Sequence, residues 1–202
     1  MDIKGNKLEQ AKRRDKKVII TDIAISKVPD IEYPNVPSDT SATIRALAQE
    51  VLELSKDQND SNEVAITYSM DENVVGICFG DEHGVNPLSD TTSAHLLMSG
   101  KVLTVISLHN HPSTQSFSLE DIQFLIGFPS IQLMVLVGNQ GEVYYMSKRS
   151  DYSPEKAYAL LHEHFRMLDA EMNVKQILNV TDKFLKRCDE AGLVYGKGRD
   201  VK

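Results

Sequence analysis

Two of the chain's six histidines, His109 and His111, lie one residue apart in the stretch LHNHPSTQSFSLED, and Asp121 follows ten residues after the second. Side chains alternate across a strand, so two imidazoles separated only by Asn110 leave a strand terminus on the same side, where they can share one cation. A catalytic zinc site typically takes three nitrogen or carboxylate ligands and keeps a fourth position open for water. Asp121 completes such a set if the loop PSTQSF folds back, because Ser118 is an apt N-cap and places Asp121 in the first turn of the helix that follows, facing the loop. A hydroxyl at Ser118 stands near the same opening, where it can donate a hydrogen bond to an oxyanion. Hydrolysis also needs a proton carrier, normally a carboxylate within reach of the water but not on the metal, and spacing alone does not supply it. The same residues are also compatible with a plain polar loop held by capping interactions.

The remaining histidines carry weaker signals. His162 and His164 repeat the one-residue spacing, but on a helix, where residues two apart are separated by about 200° around the axis and cannot easily share a metal. His95 falls on a short amphipathic helix and reads as a packed or solvent-facing residue. His83 stands beside Glu82 in the loop sequence GDEHG. Cys78 and Cys188 are far apart and form no CxxC pair, so they read as ordinary thiols.

The elements that must position these groups follow from periodicity. The apolar run KVLTVISLH (101–109) has the length of a central strand ending at the histidine pair, and SLEDIQFLIG opens a helix with Ile122, Leu125 and Ile126 on one face. Upstream, VIITDIAI (18–25) suits a short strand, a proline-rich loop spans 29–37, and Ile44, Leu47, Ala48, Val51 and Leu54 mark the buried face of a helix that frays near Lys56. EVAITYSM (63–70) and VVGICFG (74–80), joined by Asp71-Glu72-Asn73, read as a hairpin, followed by a short helix over 90–100. IQLMVLVG (131–138) and EVYYMSK (142–148) form a second hairpin around NQG, in which Tyr144 and Tyr145 point to opposite faces. Two amphipathic helical segments complete the chain. The order predicts an α/β sandwich with a mixed sheet, helices on its faces and appended C-terminal helices.

A chain of 202 residues with 41% hydrophobic and 25% charged residues fits one main soluble domain. The divisions expected are a basic arm over 1–17, a main domain over 18–150 and a helical extension over 151–202. A net charge of -7 argues against non-specific nucleic-acid binding by the body, yet seven of the 22 Lys and Arg fall between Lys4 and Lys17. That arm reads as a solvated tail, with contact to an acidic partner or nucleic acid as the alternative. No apolar run suits a membrane span or a signal peptide, so a cytoplasmic location is expected.

His109-Asn110-His111-Pro112-Ser113 followed by Ser118-Leu119-Glu120-Asp121-Ile122 resembles the JAMM (JAB/MPN) metalloprotease motif, HxHP then SxxD, and is most similar to its RadC-like branch. The resemblance runs from about Asn62 to Lys148. It implies a JAMM/cytidine-deaminase-like mixed sheet flanked by helices, with Zn2+ held by His109, His111 and Asp121. It also implies that Glu63 acts as general base on a zinc-activated water and that Ser118 stabilises the tetrahedral intermediate. The activity implied is hydrolysis of peptide or isopeptide bonds in a protein or peptide substrate, ubiquitin-like conjugates included. Without the resemblance, Glu63 reads as a solvated residue opening a strand, and Glu82 is its competitor as base. The family places seven residues between the second histidine and the serine, whereas Pro112 to Phe117 makes six. Two other functions stay open: an inactive interaction module on the same scaffold, and a RadC-like factor associated with DNA repair or mobile elements. The sequence assigns no oligomeric state.

Overall fold

The computed structural model describes residues 17–165 and 174–198. The arm up to residue 16, part of the C-terminal helical region (166–173) and the last four residues lie outside them, as does the side chain of His164. The described chain is α/β, a six-stranded mixed sheet flanked by helices. In chain order the elements are α1 (Asp22–Ser26), α2 (Ser41–Gln58), β1 (Val64–Ser69), β2 (Val74–Phe79), α3 (Thr91–Ser99), β3 (Val105–His111), α4 (Leu119–Gly127), β4 (Ile131–Gly138), β5 (Val143–Lys148), α5 (Pro154–Phe165), α6 (Val174–Arg187) and β6 (Leu193–Lys197).

The strands lie in the order β2-β1-β3-β4-β5-β6. β3 and β4 pair in parallel and all the other neighbours pair antiparallel. Every residue of β3 and of β4 is buried, as in central strands covered on both faces; β4 is nearly all apolar, whereas β3 passes from Val105, Ile106 and Leu108 into the polar His109, Asn110 and His111. Alternation sorts their side chains into two cores. Ile106, Leu108, Leu133, Val135 and Val137 pack with Ile44, Ala48, Val51 and Leu52 of α2 on one face. Met134, Leu136 and Met146 pack with Leu96, Ile122, Leu125, Leu160 and Phe184 on the other. Each of the larger side chains contributes about 1.5–3 kcal/mol on burial, which makes these two layers the main source of stability.

Local chemistry sets the ends of the helices. Asp90 caps α3 by accepting from Ser93 N at 2.7 Å. Gly76 on β2 lets α3 lie on the hairpin, since a Cβ there would come within 2.6 Å of the Ser93 backbone nitrogen. The reading of 18–25 as a strand is corrected: Thr21 Oγ1 accepts from Ala24 N, and Asp22–Ser26 is helical with Ala24 and Ile25 buried. β3 begins at Val105 rather than at Lys101, because Leu103 adopts a left-handed φ of 61° that interrupts an extended run. The second C-terminal helical segment also ends sooner than its pattern suggests. It stops at Arg187, and after Gly192, with a left-handed φ of 78°, the chain returns to the sheet as β6. β6 pairs with β5 from Lys148↔Leu193 to Tyr144↔Lys197. No helix among the described residues is long and apolar enough to cross a membrane.

Candidate metal centre

The site lies at the carboxyl end of β3, where the chain leaves the sheet and α4 begins. His109 and His111 project from one face of β3, with ring centroids 4.9 Å apart. The PSTQSF loop folds back with six residues. Ser118 N and Ser118 Oγ both donate to Asp121 Oδ2 at 2.7 Å, while Asp121 N donates to Ser118 Oγ at 3.1 Å, closing a reciprocal capping box. Ser118 thereby fixes the carboxylate through Oδ2, and both of its oxygens face the imidazoles. His109 Nε2 is 3.2 Å from Oδ1 and His111 Nε2 is 3.4 Å from Oδ2.

One donor atom from each of His109, His111 and Asp121 lies within 4.8 Å of the others, so the three can hold a metal ion. Each imidazole nitrogen lies beside a different oxygen of Asp121, so the carboxylate faces both rings with its two oxygens. His109 Nε2 is buried and has no hydrogen-bond partner of adequate geometry, a costly state for an imidazole nitrogen unless something takes its lone pair. Burial alone raises the pKa of Asp121, but the neighbouring His109 and His111 outweigh it and hold the carboxyl well below the usual carboxylate range. Asp121 is thus kept as an anion. The donor set fits a divalent cation, though two nitrogens and an oxygen do not single out zinc.

Glu63, just ahead of β1, is 8% exposed and lines the same cavity, which has a volume of about 970 Å³. Burial pushes its carboxyl up to about 7; Asp121 and Asp81 push in the same direction, and His111 and the Val85 backbone N–H oppose them. Glu63 N donates to Asp81 O at 3.0 Å, and Glu63 O accepts from Gly80 N at 2.8 Å. Glu82 also lines the cavity, but its carboxylate is 58% exposed and pairs with His83 at 3.3 Å. Ser118 lines the cavity as well.

The other residues singled out in the sequence stand apart from this centre. His95 and His162 are exposed on α3 and α5. Tyr144 packs against the core that holds Phe117, while Tyr145 faces the opposite core and stacks edge-on to Tyr33 at 5.4 Å. Cys78 and Cys188 are free and buried.

Sequence reasoning missed two contributors. Phe117, buried beneath the loop, stacks with His109 at 6.4 Å and with Tyr195 of β6 at 6.3 Å, so the last strand reaches the site through one ring. Asn110, between the histidines, points to the face of α2 and is fully buried. Its signal was already present, because a polar residue flanked by two ligands on a strand must enter the opposite layer. No family model, no curated protein and no solved structure matches this chain.

Proposed function

We propose that the protein is a zinc-dependent hydrolase of peptide or isopeptide bonds, with a JAMM-type fold and centre, acting in the cytoplasm on a protein or peptide, ubiquitin-like conjugates included. The observation that carries this reading is the convergence of His109, His111 and Asp121 within 4.8 Å, with a buried His109 Nε2 that lies 3.2 Å from Asp121 Oδ1 without a well-formed hydrogen bond, in a cavity also lined by Glu63. A zinc ion bound by these three residues supplies Lewis-acid activation of water and polarisation of a scissile carbonyl.

The chain's own groups do the rest. Burial favours the protonated form of Glu63, and its place in the cavity that His109, His111 and Asp121 line suits it to take a proton from the attacking water and deliver it to the departing amine. Glu63 is favoured over Glu82 because it is buried and anchored through its backbone, whereas Glu82 is exposed at the rim. Ser118 donates its one hydroxyl proton to Asp121 Oδ2 and so orients that carboxylate; stabilising an oxyanion requires that proton to turn from Oδ2 toward the cavity.

The test combines metal analysis with cleavage of an internally quenched peptide library and of an Nε-linked isopeptide probe. Zinc-loaded wild-type protein is expected to cleave at least one of them. Glu63→Gln should retain one equivalent of zinc and lose activity by about 10²–10⁴-fold, while His111→Ala should lose metal and activity together. A Glu63→Gln variant that still cleaves at the wild-type rate refutes the base assignment. A wild-type protein that binds no zinc at all leaves an interaction module as the better account.

A further inference from the structure

We infer that Asn110 is a positioning residue for Glu63, fixing the base against the strand that carries the histidines; this inference rests on the hydrolase reading of the site. Asn110 is fully buried, and its amide turns away from the metal ligands toward α2. Asn110 Oδ1 accepts from Val64 N at 2.7 Å, and Asn110 Nδ2 donates to Asn62 O at 3.1 Å. Those two groups belong to the peptide bonds on either side of Glu63. One side chain therefore grips both peptide units of the proposed base.

The grip replaces a ladder that has run out. β1 and β3 pair antiparallel up to Ala65↔His109, and two further steps in that register would set Glu63 opposite His111. No strand pairing continues there, and the backbone of Asn62, Glu63 and Val64 is tied to β3 through the Asn110 amide instead. The amide is itself braced, since the second Nδ2 proton goes to Asn139 Oδ1 at 2.8 Å, and Ser55 Oγ of α2 also donates to Asn62 O. Asn59 Nδ2 donates to Glu63 O at 2.8 Å from the end of α2, which leaves the Glu63 main chain little freedom. Because His109 and His111 flank Asn110, a movement of the histidine strand carries the main chain of Glu63 with it, and the spacing between Glu63 and the two histidines is held.

The test compares wild type, Asn110→Ala, Glu63→Gln and the double variant, each loaded with Co2+ as a spectroscopic probe. The three metal ligands are untouched, so all four proteins should bind one equivalent of cobalt. The visible d–d spectrum of Asn110→Ala should move to that of Glu63→Gln, and the double variant should match both. On the best-cleaved peptide of the quenched library, with zinc bound, Asn110→Ala should lose about 10²-fold in kcat with KM nearly unchanged, and add no loss to Glu63→Gln. A wild-type spectrum and kcat in Asn110→Ala overturn the inference, as do loss of cobalt from that variant or a further fall in the double variant. If Asn110→Ala does not fold, Asn110→Asp, which keeps the acceptor toward Val64 N and removes the donor toward Asn62 O, carries the same test with a smaller loss. Wild-type protein that takes up no cobalt sinks the hydrolase reading alone. Asn110 is then judged on amide hydrogen exchange at Glu63 and Val64, where lost protection in the variant upholds its role and unchanged protection overturns it.

Discussion

Asp121 carries the greatest demand at the level of single side chains. Ser118 meets part of it by holding Oδ2 with its backbone N–H and its hydroxyl, which fixes the orientation of the carboxylate toward the two imidazoles. Ser118→Ala should therefore cost about 1 kcal/mol of stability through loss of the cap, and should weaken zinc binding by about 10–100-fold through loss of the partner that orients the carboxylate. Thermal denaturation of metal-free protein and a competitive zinc titration read the two effects separately; unchanged zinc affinity would contradict the orienting role. The grouping of His109, His111 and Asp121 was legible in the sequence as a possible metal site, because strand alternation and a capping serine are local rules that need no partner. Glu63 was not legible from its own surroundings, since the groups that meet it and its flanking peptides, Asp81, Val85 and the Asn110 amide, are distant in sequence or on another strand.

Among the elements, the end of β5 holds an unusual charge. Lys148 is 1% exposed, donates from Nζ to Phe128 O just past α4 at 2.8 Å, and lies 5.0 Å from the Tyr152 ring centroid. Burial lowers its pKa to about 7. Between pH 7 and about 10.4 the unfolded chain keeps the proton that the folded chain has released, so folding stability from this residue rises with pH, by up to about 1.4 kcal/mol per unit. Lys148→Met should flatten that rise, as measured by chemical denaturation at pH 7, 8 and 9; parallel stability curves for the two proteins would contradict it. Elements with strong periodicity, such as α2, α4 and β4, were readable from the sequence. Residues 18–25 were not, because their β-branched composition suits a strand while Thr21 caps a helix and the segment finds no strand partner. β6 was hidden by its shortness, although Gly192 followed by Leu193, Val194 and Tyr195 is a helix stop followed by strand formers.

At the scale of the whole molecule, the C-terminal segment both extends the sheet and fills one of its cores. Phe184 of α6 is fully buried with Leu136 and Met146, so Phe184→Ala should destabilise the protein by about 3–5 kcal/mol in denaturant titration, and a loss near zero would show that this layer is dispensable. The crossover between the parallel strands β3 and β4 supplies Ser118 and Asp121, and all three candidate ligands fall within residues 109–121. Closing so short a loop costs little entropy, so a cation can clamp this unit during renaturation before distant strands have met. The base arrives by another route, since Glu63 takes its place only when β1 has docked antiparallel on β3. Refolding in the presence of zinc should consequently show metal capture preceding the return of hydrolysis, with a lag set by the docking of that strand, and simultaneous recovery in stopped-flow experiments would show that ligands and base assemble in one step.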